Sequence, residues 1–188
     1  MEVTIRNNQR LIRISSRKIE RQARKALFCL IRKESSRKPG RKRVGVFPPS
    51  SLPDPASVEL SILFVNDRRM RLLNREYRGI DRTTDVLSFS QVEEVLGQPV
   101  PQGPEERGGD AHLQEAGGAD VFPLGDIVIS LPQALRQAEE YGVPLYDEIA
   151  RLLIHGLLHL FGYDHERSGH EAARMRKREA ELAEVLCR

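Results

Sequence analysis

The chain has 188 residues, 39% of them apolar and 30% charged, which suits one soluble globular domain with a real core. Two cysteines, Cys29 and Cys187, exclude a disulfide framework and point to a reducing, cytoplasmic setting in which each is a lone thiol. The net charge of +3 conceals an asymmetry, because residues 1–50 hold 15 Lys and Arg against 3 Asp and Glu.

That basic third suggests contact with a polyanion, nucleic acid first of all. The plainer reading is a solvated, Arg-rich helix face followed by a linker. A transit peptide is also Arg-rich and acid-poor, but Val3-Thr4-Ile5 already reads as strand. No membrane span is expected, since the most apolar stretch, Leu152 to Phe161, is ten residues long and holds two histidines.

In chain order, a strand covers residues 2–6. Ser15 or Ser16 caps a helix whose apolar positions Ile19, Ala23, Ala26, Leu27 and Leu30 recur at helical spacing. From Ser35 to Pro55 the chain is basic, then rich in Pro and Ser, and reads as an exposed connection. Val58 to Val65 is an apolar strand, and Asn66 caps a helix to about Tyr77. Val86 to Phe89 is a short strand. Residues 91–124 show no apolar periodicity and carry 7 acids against 1 Arg, as in a lid or disordered insert. A strand follows from Gly125 to Ile129. Ser130, with Gln133, boxes in a helix that Gly142 ends.

Pro144, with Asp147 and Glu148 behind it, opens a helix to about Phe161 whose apolar residues wrap nearly its whole circumference, so it is expected to be buried. A last amphipathic helix runs from Ser168, boxed by Glu171, to Leu186. The implied fold is one α+β domain over residues 1–188: a small mixed β-sheet packed with helices around a central buried helix, zincin-like in kind. Flexible insertions are expected at 33–57 and 91–124.

On that central helix His155 and His159 stand at i and i+4, hence side by side on one face. Gly162 can take a positive φ and turn the chain, bringing His165 to the same point. Three protein ligands leave one coordination position open, the catalytic pattern of zinc. A single buried histidine is more often a satisfied core residue than a ligand. Two on an otherwise apolar helix, with a third after a glycine turn, point to a metal. His170 and His112 read as exposed bystanders.

Zinc peptidases carry a glutamate after the first histidine as general base. Here that position is Gly156, which suits close packing or substrate approach. The His-x3-His-x2-Gly-x2-His spacing matches metzincin proteases, so a metallopeptidase lacking its base is the alternative. A non-catalytic, metal-stabilised module that binds nucleic acid through the basic N-terminus is a further one. Zinc can lower the pKa of a bound water to about 7, which lessens the need for a protein base.

The run from His155 to His165 resembles the H-G-x-L-H-L-x-G-Y-D-H signature of the YbeY family, metal-dependent endoribonucleases of ribosomal RNA maturation. Leu73-Asn74-x-x-Tyr77-Arg78-Gly79, Thr84 to Phe89 and Gly125 to Ile129 agree in order and spacing. Ser90 departs from the pattern, standing where proline is common. The resemblance implies one zinc ion on His155, His159 and His165, with Arg78 the essential catalytic arginine. It further implies single-stranded RNA as substrate and processing of the 3′ end of small-subunit ribosomal RNA. Ribosome quality control is the associated role, with small-subunit ribosomal proteins or a ribosome-associated GTPase as partners. Without it, Arg78 reads as a surface arginine at a helix end. Asp164 reads as orienting a histidine or, the favoured reading, as capping the turn, and Asp85 and Asp126 as fixing turns or backbone amides at strand edges.

Overall fold

The computed structural model describes residues 1–36, 52–92 and 121–187. Among them, four strands alternate with five helices: β1 (Glu2–Asn7), α1 (Ser16–Ser35), β2 (Val58–Val65), α2 (Asp67–Arg78), β3 (Val86–Ser90), β4 (Phe122–Ser130), α3 (Leu131–Tyr141), α4 (Leu145–Leu160) and α5 (Gly169–Cys187). The sheet order is β1-β2-β4-β3. β1, β2 and β4 are parallel, and β3 pairs antiparallel with β4, so the sheet is mixed as the sequence implies.

The caps explain where helices begin. Ser15 accepts from the Lys18 amide, Asn66 from Arg69 and Ser130 from Gln133, each supplying an acceptor to an otherwise orphaned N–H. At α5, the Ser168 hydroxyl accepts from the Glu171 amide at 3.2 Å.

The strands bury both faces, alternating at period two. Ile127 and Ile129 of β4 join the larger core with α1, α4 and α5, whereas Val128 joins a smaller one with Met70 and Leu73 of α2. α1 lies against β1 at one edge of the sheet, and α4 against β3 at the other. α4 is buried nearly all round, as its sequence requires.

Two boundaries differ from expectation. α1 continues through Ser35, so residues 33–35 are helix rather than insertion. β4 begins at Phe122, with Leu124 fully buried, so residues 122–124 are sheet and not loop. Pro123 hides this start in the sequence, and the register of β2 with β4 shifts there, between Glu59 and Leu60. The rest of the second insertion, 93–120 with His112, lies outside the described residues, as does 37–51 of the first. No helix among the described residues is long and apolar enough to cross a membrane.

Candidate metal centre

The three histidines converge. Their nearest ring nitrogens all lie within 4.8 Å of one another. His155 and His159 project from adjacent turns of α4, with their Nε2 atoms 3.1 Å apart. His165 arrives from the turn beyond, its ring centre 5.3 Å from that of His155 and 5.2 Å from that of His159.

The turn is built by hydrogen bonds that close α4. The Gly162 amide donates to the His159 carbonyl at 2.8 Å, and Tyr163 donates to Leu158 at 2.9 Å. Gly162 sits at φ 80°, the left-handed conformation this double closure needs. Tyr163 then plunges inward, and its hydroxyl donates to Glu34 at 2.6 Å, on the last turn of α1. Arg178 of α5 donates to the same carboxylate at 3.3 Å, so three elements pin the start of the segment carrying His165.

Asp164 holds that segment from the other side. Its carboxylate accepts from the Glu166 amide at 2.8 Å and from the Arg167 side chain at 3.0 Å. The amide bond, more than any other contact, keeps its pKa below the usual carboxylate range. Asp164 is thus a turn cap, as its position after Gly162 suggests.

Burial, reinforced by the neighbouring imidazoles, pushes the His159 pKa down to about 4. His159 is therefore neutral near pH 7, the form that offers a lone pair to a metal. Nδ1 of His155 lies 2.8 Å from Oε1 of Glu179. That hydrogen bond is the main reason the Glu179 carboxyl titrates below its ordinary value. An ionised carboxylate only accepts, so Nδ1 carries the proton and Nε2 is free to face His159. This carboxylate–histidine pairing fixes ring and tautomer as in known metal sites. Sequence reading missed Glu179, which stands 24 residues away on another helix.

The donor set suits a metal. Two nitrogens on one tetrahedral zinc at about 2.0–2.1 Å lie about 3.3 Å apart, close to the separation found between the two Nε2 atoms. The third nitrogen has only to close in from an exposed turn. These are imidazole nitrogen donors with a carboxylate behind one of them, as zinc prefers.

Gly156 faces the sheet. A Cβ there would lie 3.1 Å from Ile127 side-chain atoms and 3.1 Å from Ser88 Oγ. The glycine lets α4 press against the sheet, and a glutamate there would have to push the Ile127 and Ser88 side chains aside.

Arg78, the last residue of α2, is half exposed, and its guanidinium lies 3.6 Å from the carboxylate of Glu166. It therefore stands beside the segment bearing His165, near enough to help depress the basicity of His159. Tyr77 beside it meets the Phe89 ring edge-on, with centres 4.9 Å apart. His170 is exposed. Asp85 accepts from the Val86 amide at 2.9 Å, a backbone role. Asp126 instead accepts from the Gln91 side chain at 3.1 Å, tying β4 to the residue that follows β3.

Sheet, buried helix and clustered imidazoles define an α+β protein with a metal-competent centre. A profile described as Endoribonuclease YbeY matches residues 4–186. An Endoribonuclease YbeY of Geobacillus thermodenitrificans is 43% identical over 135 residues, 71% of this chain and 74% of that protein. One of Persephonella marina is 44% identical over 130 residues, 69% of this chain and 71% of the relative. A Thermotoga maritima protein known from its solution structure shares the fold, with a TM-score of 0.50 and 22% identity over 98% of this chain and 88% of its own. The chain belongs to the YbeY family.

Proposed function

We propose that this chain is a single-strand-specific endoribonuclease holding one zinc ion on His155, His159 and His165. Its role is in maturing the 3′ end of small-subunit ribosomal RNA and in ribosome quality control, in a cytoplasmic setting. Small-subunit ribosomal proteins and a ribosome-associated GTPase are the proposed partners. The observation that carries the reading is the convergence of three imidazoles in a chain whose relatives bear the name endoribonuclease. The cation supplies Lewis acidity, toward water and toward a phosphoryl oxygen.

The protein's own groups do the rest. Arg78 offers a planar, permanently charged fork to the scissile phosphate as negative charge builds there. Its contact with Glu166 is long and exposed, so a phosphodiester can replace it at little cost. Glu179 holds the His155 ring in place. The nucleophile is water or the RNA's own 2′-hydroxyl.

Metal analysis and RNA cleavage with chelator and zinc add-back test the reading. His159→Ala should lose both the metal and at least about 10³-fold in cleavage, whereas a contaminating nuclease would be untouched. Arg78→Ala should keep its metal and lose about 10²–10³-fold in rate. Wild-type rates in either variant defeat the corresponding assignment.

A further inference from the structure

The outward face of α1 carries Arg17, Arg21, Lys25, Phe28 and Arg32, all exposed. At 3.6 residues per turn these positions fall within a strip about 80° wide and about 22 Å long. Among the described residues, none of the four cations has a carboxylate within salt-bridge reach. Glu20 is taken by Arg24, and Glu34 turns inward to Tyr163 and Arg178.

The pattern works against the helix that carries it. α1 has no acid in its first turn, where Arg17 and Lys18 face the positive end of the helix dipole. Arg17 with Arg21, and Arg21 with Lys25, are like-charge pairs at i,i+4, which weaken a helix. Internal stability therefore does not account for the strip, and a polyanion outside the chain does. Phe28 is 45% exposed in its midst, with the Arg32 guanidinium 5.7 Å from the ring centre. Cations flanking a half-exposed aromatic ring match a nucleic-acid backbone with a base to stack.

We propose that this face of α1 is a second RNA contact, gripping phosphates through Arg17, Arg21, Lys25 and Arg32 while Phe28 stacks on a base. The choice of RNA rests on the function proposed above. The strip lies on the side of α1 opposite Ile19, Ala23, Leu27 and Leu30, the buried residues that join the core with α4, so this contact is separate from the histidine cluster.

Binding of a labelled single-stranded oligoribonucleotide, followed by anisotropy with metal chelated, tests it. The triple variant Arg17→Gln, Arg21→Gln, Lys25→Gln should bind at least about tenfold more weakly at low salt. The slope of log affinity against log salt should become shallower by about 2, from three lost phosphate contacts on a single strand. Its melting temperature should hold or rise as like charges are removed. Phe28→Ala, a single change at an exposed position, should weaken binding with the slope unchanged.

An unaltered slope in the triple variant overturns the contact, and unaltered affinity in Phe28→Ala overturns the stacking. Polyglutamate competing as well as RNA would make the partner an acidic protein and overturn the RNA assignment. If zinc-loaded wild type cuts no RNA but the slope still falls, the catalytic reading fails and the contact stands. If RNA is cut and the slope does not move, the contact alone fails.

Discussion

α1 and α4 pack against each other in one core, yet they treat their polar residues in opposite ways. α1 buries a stripe and, Glu34 apart, leaves most of its charges in water, where each can change with little effect on its neighbours. α4 is buried almost all round, so each polar group on it needs a defined partner. His155 has Glu179, and Glu148, 1% exposed, is held by the Arg151 guanidinium at 2.6 Å. A metal-competent centre asks for fixed geometry, and the buried helix supplies it. A surface that grips a flexible polymer does not ask for it.

Substitutions should bring out this contrast. The largest effect is expected at Gly156, where a side chain meets Ile127 and Ser88. Gly156→Glu should destabilise by about 3–5 kcal/mol, from overpacking plus a buried unpaired charge, and much of the protein should be insoluble. A well-folded Gly156→Glu by chemical denaturation would mean that the helix–sheet contact yields easily. Next is Glu179→Ala, which should weaken zinc affinity by about 10–100-fold, read by competition with a chromogenic chelator. Glu179→Gln, which keeps an acceptor for the ring N–H, should recover part of that loss. The smallest effect is expected at Gly79, the C-cap of α2 at φ 69°, with nothing within 4 Å of a Cβ. Gly79→Ala should cost about 1 kcal/mol, from backbone conformation alone, as a small fall in melting temperature.

Much of this was legible because the signals are local. Ser15, Asn66 and Ser130 announce helix starts by chemistry that acts over three residues. The His155–His159 pair follows from helical periodicity, and Gly162 marks the turn to His165. Contacts between elements were not legible. Glu179 is one of several acids on an amphipathic helix, and only tertiary packing sets it behind His155. Gly156 reads equally as a packing or a substrate-facing residue until the sheet beneath it is known. The start of β4 was missed because Phe122-Pro-Leu124 has no alternation, and proline argues against a strand.

The triad is a tripod with legs of unequal stiffness. Two stand on the most enclosed helix among the described residues, and the third is exposed on the turn that follows Gly162. A seat of this kind is half assembled in advance, and a bound ion would draw in the third ligand. Exchange of an ion should then be governed by how often the turn swings out, which makes the contacts of Tyr163 and Asp164 the natural brakes on its departure.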